Sequence, residues 1–334
     1  MEKKRMEKRY EKHILLKEVG KEGQKKLMDS KAIIIGCGAT GSAAAINLVR
    51  SGFGEIVIAD RDVVDEGNLQ RQFLFNEEDI GKEKALVAER KLKKMNSLSK
   101  VKGIIDHICS SNIEKLIEGK DIVLDCTDNM ETRFLINDAC VKKGITWIYC
   151  GAIATYGMVK AIIPKKTACL RCMFPSIPAN LPTCDTAGIL TPVPIVLASI
   201  QSTLAIKYIV EGSIDGNLIM YDPWYNYFEV IEIKKRKGCK CCGKGIYDFL
   251  EEKEKAIKLC GKEAIIIVGK ERVSFPLLQK KLKKFGKVKK EGVVLKFYEK
   301  NHEIHIFESG RAIIYGTDDE EKAKSLYEKY VKII

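Results

Sequence analysis

The chain has 334 residues, of which 46% are hydrophobic, and this is enough apolar sequence for one large domain and a smaller one. Its lysine-rich start lacks the apolar core of a signal peptide and no uncharged apolar stretch reaches about 18 residues, so no membrane span is expected and we place the protein in the cytoplasm. A formal charge of +13 raises the question of an acidic partner, although a solvated surface rich in lysine and glutamate gives the same count.

The first predicted elements lead into a βαβ unit. Residues 1–30 have the pattern of two short amphipathic helices. An apolar run of strand length then begins at Ala32, a helix of small residues is predicted from Ala39 to Arg50, and a second strand runs from Glu55 to Asp60. Sheets that bind nucleotides are built from units of this kind.

Glycines mark the turn between the first strand and its helix. They are Gly36, Gly38 and Gly41, spaced as G-x-G-x-x-G. Such glycines let the backbone approach a phosphate closely, and the N–H groups at the start of the helix hold its negative charge. Asp60, about twenty residues past the last glycine, lies where a ribose hydroxyl would bind. The turn therefore predicts a nucleotide site, and by itself it favours a dehydrogenase.

Strands and helices continue to alternate up to residue 149. We predict helices at 82–95, 111–117 and 130–142, and strands at 101–105, 121–125 and 145–149. The alternation predicts an α/β fold, a Rossmann-like, doubly wound, mostly parallel sheet with helices on both faces. Ligands of such sheets bind beyond the C-terminal ends of the strands, where Gly36, Asp60 and Asp128 all fall. One shared site is expected.

A proline-rich segment with little periodicity follows at 167–194. A long segment of this kind inside a compact domain is usually functional or mobile, and this one contains three cysteines. The flanking predictions are β-like sequence at 157–164, a buried helix at 193–211, and strands at 218–221 and 227–233.

Two C-x-x-C pairs stand out among the twelve cysteines. Cys169 and Cys172 form one pair, and Cys239 and Cys242 form the other. Four thiolates in two such pairs suit tetrahedral zinc, and four protein ligands leave no open position for water, so a structural site is expected. The alternative is a set of unrelated buried or redox thiols. Cys241 has no assigned role, and the thiols of Cys37, Cys109, Cys126, Cys140 and Cys150 are expected in the core.

The last ninety or so residues are predicted to form a small α+β module. We predict a helix at 246–259, a strand at 263–268, a helix at 276–285, strands at 292–299, 303–308 and 312–315, and a final helix from Asp318 capped by Thr317. The basic run from Lys280 to Lys290 could contact nucleic acid or an acidic carrier, although a solvated face is the favoured interpretation. A nucleic-acid partner is not expected but stays open.

Several strings occur in the order and spacing of the ThiF/MoeB/HesA family, which the chain resembles over about residues 5–243. They are RYEKHILL, GCGATG, DRDVVDEGNLQRQ, GKEKA, DCTDN, CLRCMFP, TCDTAG and GCKCCG. Members of this family adenylate ubiquitin-like sulfur carriers and are similar to the ubiquitin-activating enzymes. The resemblance implies an adenylating domain at 1–243, which includes the zinc site, and an extension of unknown role at 244–334.

The resemblance also implies a reaction and its residues. The C-terminal glycine carboxylate of a small carrier protein is joined to AMP from ATP, and pyrophosphate is released. Carboxylate, triphosphate and leaving group are all anionic, so the site needs cations and magnesium more than an acid or a base. The implied roles are cations at Arg71 and Lys84, Mg²⁺ at Asp128, ribose at Asp60 and phosphate contacts at Asn68 and Gln72. Asp62 is either structural or close to the phosphates.

One departure from the family concerns the N-terminal motif. Where many relatives have a second arginine that reaches the ATP site of the partner subunit, this chain has Lys12, which keeps the charge but loses the bidentate fork. Either Lys12 acts less specifically, or Arg9 takes part, or the contribution from the partner is reduced. A homodimer is expected on the same resemblance.

Cys184 in the string TCDTAG matches a family cysteine that can link covalently to the activated carrier or its sulfur. The tail lacks the cysteine loop of a rhodanese-type sulfurtransferase, so a sulfur donor would be a separate protein. Alternatives to a carrier-activating enzyme are a family member that activates a carboxylate on tRNA, an NAD-dependent oxidoreductase, and a non-catalytic carrier-binding module. The pathway, whether thiamine, molybdopterin, tRNA thiolation or protein conjugation, is not fixed by the sequence.

Overall fold

Two compact units, Met1–Leu250 and Glu251–Ile334, make up the chain in a computed structural model. The structure describes residues 8–178, 187–251, 256–258, 263–267, 273–291, 294–307 and 310–332.

Helices and strands alternate through the first unit. Its elements are α1 (Glu11–Ile14), α2 (Gly20–Asp29), β1 (Lys31–Ile35), α3 (Ala39–Ser51), β2 (Glu55–Ala59), α4 (Lys84–Met95), β3 (Lys100–Ile104), α5 (Ile113–Ile117), β4 (Ile122–Asp125), α6 (Met130–Lys143), β5 (Thr146–Ile153), β6 (Tyr156–Ile162), α7 (Leu170–Met173), α8 (Pro192–Glu211), β7 (Leu218–Asp222) and β8 (Tyr227–Ile231). A short helix, α9 (Asp248–Glu251), lies where the units meet in sequence.

One mixed sheet of eight strands is the frame of this unit. Its order is β3-β2-β1-β4-β5-β6-β7-β8, with parallel pairing from β3 to β5 and antiparallel pairing from β5 to β8. The predicted Rossmann-like, mostly parallel sheet is confirmed. The strand order reverses at β1, which lies between β2 and β4, and a crevice at such a switch point is where open α/β sheets bind ligands.

Both faces of β1 are buried. Ala32 and Ile34 belong to one apolar cluster, whereas Ile33 and Ile35 belong to the cluster on the opposite face. The first cluster includes residues of α3, α4 and α8, and the second includes residues of α5 and α6, so helices cover both sides. This burial explains why the strand reads as a continuous apolar run rather than an alternating one.

Helix α8 has the length and hydropathy of a membrane span, and 39% of its most apolar window is buried. In this fold it packs against the sheet. Its Gln201 is fully buried, and Nε2 donates to the backbone oxygens of Asp125 (2.8 Å) and Ile148 (2.9 Å). The helix thus fixes the carboxyl end of β4 next to β5.

The second unit is an antiparallel sheet with two helices. Its elements are β9 (Ala256–Lys258), β10 (Ala264–Ile267), α10 (Phe275–Leu282), β11 (Lys287–Glu291), β12 (Val294–Glu299), β13 (His302–Phe307), β14 (Ala312–Tyr315) and α11 (Glu320–Tyr330). The strand order is β11-β12-β13-β14-β10-β9, and both helices contribute to one apolar cluster with β10, β12, β13 and β14. The predicted α+β character of the tail is confirmed.

Three predictions for the tail were wrong. Of the residues expected as a helix at 246–259, the described ones form only the short helix α9, and 256–258 pair instead as strand β9 with β10. Strand β11 was missed, since its lysine-rich sequence has little β character. The cap of the last helix is Asp319, whose carboxylate accepts from the N–H groups of Glu321 and Lys322, and Thr317 instead accepts a hydrogen bond from the N–H of Asp319.

Candidate nucleotide site and metal centre

The glycine turn lies between β1 and α3, against the carboxyl end of β4. A Cβ atom added to Gly36, whose φ is +91°, would lie 2.5 Å from the carbonyl oxygen of Cys126. A Cβ atom on Gly41 would lie 2.0 Å from the carbonyl oxygen of Gly36. Both positions therefore require glycine. Gly38 precedes α3 and has no side chain with which to cap the N–H groups at the helix start.

Asp60 is joined to this turn by hydrogen bonds. Its Oδ2 accepts from the N–H of Cys37 (2.6 Å), and its Oδ1 accepts from the N–H of Asp62 (2.7 Å). Burial raises the pKa of Asp60 to about 6, the nearby carboxylate of Asp62 adds to the rise, and Lys84 opposes it. The carboxyl group thus lies directly beside the glycine turn.

Lys84 brings a buried cation to the same place. It is the first residue of α4, 7% of its side chain is exposed, and its Nζ lies 3.9 Å from Oδ2 of Asp62. The backbone N–H of Lys84 donates to the carbonyl oxygen of Asp62 (2.9 Å). Asp62 thereby links Asp60 to Lys84, and these contacts do not depend on a bound ligand.

Three further predicted residues follow β2 in a short turn. Gln72 is buried, its Nε2 lies 3.8 Å from the point where a Cβ of Gly38 would be, and its Oε1 has no hydrogen-bond partner in the described part of the chain. The guanidinium of Arg71 donates to the carbonyl oxygen of Gly67 (2.8 Å), and the side chain of Asn68 accepts from the N–H of Asp65 (3.3 Å). Gln72 adjoins the glycine turn directly, whereas Arg71 and Asn68 are held by their own turn.

The remaining predicted residues stand apart from these contacts. Asp128 is exposed in the loop after β4, the strand next to β1, and accepts from the side chain of Asn129 (3.3 Å). Lys12 lies on α1 with 86% of its side chain exposed and its Nζ 3.6 Å from Glu11. Cys184 lies outside the described residues.

Arg133 is a partly buried residue that the sequence did not single out. From α6 it donates to the carbonyl oxygens of Thr127 (2.6 Å) and Cys150 (3.3 Å), and its Nε lies 3.5 Å from Oδ2 of Asp125. These contacts fix the loop that carries Asp128. A lone arginine early in a predicted helix gives no signal of such a role, because the role depends on the neighbouring strand.

The two C-x-x-C pairs meet at one point. The Sγ atoms are 3.9 Å apart for Cys169 and Cys172, 3.6 Å for Cys169 and Cys239, and 3.4 Å for Cys172 and Cys242. All four lie within 4.8 Å of one another. A tetrahedron with metal–sulfur bonds of about 2.3 Å has edges of about 3.8 Å, so the donor set fits a metal ion without rearrangement.

Cys241 is not part of this group. It is buried, and its Sγ accepts a hydrogen bond from Nδ2 of Asn137 (3.2 Å). Among the thiols expected in the core, Cys109 is only half-buried, and the other four are buried. Burial raises the pKa of Cys150 to about 12, so this thiol stays protonated at neutral pH.

Comparison with known proteins places the chain in a family. A sequence model of the ThiF family matches residues 10–241. The chain belongs to the ThiF family. Sulfur carrier protein ThiS adenylyltransferase of Bacillus subtilis (strain 168) is 38% identical over 335 residues, which cover 97% of this chain and 99% of that protein. The match therefore extends over both units.

Two other known proteins match a smaller share of the chain. SAMP-activating enzyme E1 of Haloferax volcanii is 36% identical over 249 residues, 73% of this chain and 92% of that protein. The solved structure of E. coli MccB with ATP is 27% identical, with a TM-score of 0.59, and the match covers 66% of this chain and 69% of that one. The family predicted from the motifs is confirmed.

The metal centre gives a first prediction. We expect about one tightly bound metal ion per chain, measured by plasma mass spectrometry after dialysis. Cys242→Ser removes a ligand and lowers the metal content, whereas Cys241→Ser changes a neighbouring thiol outside the group and leaves it unchanged. Equal loss in the two variants, or full metal content in Cys242→Ser, would contradict the assignment.

Asp60 gives a pH prediction. Because its pKa is about 6 in the folded chain instead of the ordinary 3.8, the carboxylate that accepts a ribose hydroxyl is present above this pH and lost below it. Adenosine, which has no titrating phosphate, should therefore bind more weakly as the pH falls through about 6, by calorimetry. Asp60→Asn should bind weakly at every pH in this range, and a wild-type affinity that does not change there would refute the role.

Proposed function

We propose that the protein is an ATP-dependent adenylyltransferase. It joins the C-terminal glycine carboxylate of a small ubiquitin-like sulfur carrier, similar to ThiS or MoaD, to AMP, for sulfur transfer or conjugation. The observation that carries the proposal is the junction of the glycine turn, Asp60 and the buried Lys84 at the strand-order switch. Relatives named sulfur carrier protein ThiS adenylyltransferase support it.

The proposed reaction is a displacement at phosphorus. A carboxylate oxygen of the carrier attacks the α-phosphorus of ATP, the bond to the bridging oxygen breaks, and pyrophosphate leaves with that oxygen. Every reacting group is anionic. The activation barrier is therefore lowered mainly by cations and N–H groups that are already positioned to stabilise the negative charge of the transition state. The ammonium of Lys84 and the N–H groups at the start of α3 meet this need.

The other predicted residues complete the proposed site. Arg71 supplies a second cation, and Asn68 and Gln72 contact phosphate oxygens. Asp128 would hold Mg²⁺, which prefers one or two carboxylates and phosphate oxygens and supplies further positive charge when bound. The four cysteines would hold Zn²⁺ in a structural role, because no position is left open for water.

Lys12 is the better candidate for a cation given to a partner subunit. The guanidinium of Arg9 donates to the carbonyl oxygen of Met95 (3.1 Å) within its own chain, whereas the side chain of Lys12 is almost fully exposed. The proposal therefore includes a homodimer with Lys12 in trans, in the cytoplasm. Cys184 stays a candidate for a covalent link to the carrier, with sulfur supplied by a separate protein. Adenylation is assigned to residues 1–243, and no chemical role to 244–334.

A hydrophobic hairpin supports docking of a protein substrate. The apolar hairpin, defined as β7, β8 and their turn, exposes 65% of Trp224, 75% of Tyr225, 59% of Phe228 and 53% of Val230. Its turn lies at the edge of the sheet that carries the nucleotide residues, since β7 ends at Asp222, whose Oδ2 accepts from Thr155 just after β5 (3.1 Å). Exposed patches of this kind mark protein contacts. A carrier seated there can extend its C-terminus towards the α-phosphate.

Pyrophosphate exchange tests the function. With the chain, ATP, magnesium and a carrier ending in Gly-Gly, we expect exchange and a carrier adenylate by mass spectrometry. Lys84→Met keeps length and loses the charge, so the rate should fall by roughly 10²-fold or more. Lys82→Met, two residues away and exposed, should be unchanged.

Three outcomes would reject this function. The first is exchange without a carrier or with a carrier that lacks its last glycine. The second is an unchanged rate in Lys84→Met. The third is ATP consumption that depends on tRNA but not on any carrier, which would favour a tRNA-activating member of the family.

The apolar hairpin gives a separate prediction. Trp224→Ala and Phe228→Ala should each raise KM for the carrier by about tenfold or more, because exposed aromatic side chains dominate such contacts. KM for ATP should not change. Leu277→Ala, a similarly exposed apolar residue of the second unit, is the matched control. An unchanged KM in both hairpin variants would move the carrier to another surface.

A further inference from the structure

A basic surface on the second unit has no part in the proposed reaction. It comprises residues 280–290, which contain seven lysines and no acidic residue, in a chain whose whole formal charge is +13. These residues cover the end of α10, the turn after it and nearly all of β11. All seven lysine side chains are exposed.

Within the described residues, several of these lysines have no acidic side chain close enough to neutralise them. Lys289 pairs with Glu291, and the Nζ of Lys290 lies 5.7 Å from the ring centroid of Phe275. In the described part of the chain no carboxylate lies within ion-pair distance of the other helix and turn positions Lys280, Lys283 and Lys284. Their mutual repulsion is relieved when a polyanion binds, because its phosphates replace released counterions.

An exposed aromatic ring stands in the middle of the lysines. Phe285 is 53% exposed and forms one wall of a cleft of about 170 Å³. The cleft is lined by Lys281, Leu282, Lys284, Phe285 and Tyr330. The ring of Phe285 rests edge-on against Tyr330, at 5.8 Å between centroids, and Tyr330 is itself buried against Phe297 at 4.9 Å. One side of the Phe285 ring therefore packs against Tyr330, and the other side is exposed to solvent.

We propose that the basic surface binds single-stranded nucleic acid. One base stacks on Phe285 in the cleft, and the phosphates on either side lie along Lys283, Lys284 and the neighbouring lysines. Lysine supplies point charges that attract phosphate without reading sequence, and an aromatic ring accepts any base, so binding is independent of sequence. A duplex is excluded from the cleft because its bases are already stacked.

Two alternative roles for the lysines account for less of the structure. Lysines on an edge strand prevent sheets from pairing with one another, and β11 is an edge strand. This role fits Lys287 and Lys289 but not the lysines of α10 and its turn. An acidic protein would match the charge, yet it has no need of an open aromatic ring between two lysines. The stacked base accounts for both features.

Fluorescence anisotropy with the full chain tests this proposal without ATP or a carrier. The probes are labelled oligo(U) and oligo(dT) of about twelve nucleotides, which are within the usual range for one binding site. We expect both to bind with similar affinity, since no group reads the sugar. A duplex of the same length and polyglutamate should compete poorly.

The variants separate charge from stacking. Lys283→Gln with Lys284→Gln should reduce the salt dependence, lowering the slope of log K against log salt by about 1.4. Phe285→Ala should weaken binding about tenfold and leave the slope unchanged. Lys322→Gln with Lys324→Gln makes the same charge change on the exposed face of α11, and it should change neither the affinity nor the salt slope. Thermal unfolding of each variant confirms that the second unit is folded.

Several results would overturn the proposal. If the α11 variant weakened oligonucleotide binding as much as the Lys283 and Lys284 variant does, the binding would depend only on the net charge of the chain. Full binding by Phe285→Ala would remove the stacked base, and tighter binding of polyglutamate than of either oligonucleotide would identify an acidic protein as the partner. None of these results bears on pyrophosphate exchange, so the adenylation proposal and this one can fail separately.

Discussion

The glycine turn lies so close to the end of β4 that no side chain fits between them, and the rest of the site depends on this contact. With Gly36 against the carbonyl oxygen of Cys126, the first turn of α3 begins directly above the crevice at the strand-order switch. The same contact brings the N–H of Cys37 to Asp60, which in turn sets the position of Asp62 and Lys84. A chain of backbone contacts, rather than long side chains, thus holds the charged groups in place.

Positive charge at this site is costly to bury and is compensated nearby. Lys84 is almost fully buried, and the carboxylates that face it are those of Asp62 and Asp60. Burial raises the pKa of Asp60, the carboxylate of Asp62 adds to the rise, and the ammonium of Lys84 offsets it only in part. A bound triphosphate would need more cations than Lys84 alone, and in the proposed reaction Arg71 and the N–H groups at the helix start supply them.

Much of the first unit could be predicted because its signals are local. Glycine spacing, strand and helix alternation and paired cysteines are all properties of neighbouring residues, and they yielded the sheet, the turn and the four-cysteine cluster. Arg133 and Gln201 could not be predicted, because each acts on backbone oxygens of distant strands. Strand β9 was not predicted for the same reason. Its local sequence has a helical pattern, but pairing with β10 makes it a strand.

The four-cysteine cluster joins positions 70 residues apart in the chain. A metal ion there closes a ring that contains α8 and the apolar hairpin but leaves the glycine turn, Asp60 and Lys84 outside. On the chain-entropy account, closing a ring of this length stabilises the folded state by about 4 kcal/mol. Metal scarcity would therefore loosen the apolar hairpin, the surface proposed to meet the carrier, before it affects the proposed nucleotide site, and would separate the two functions assigned to them.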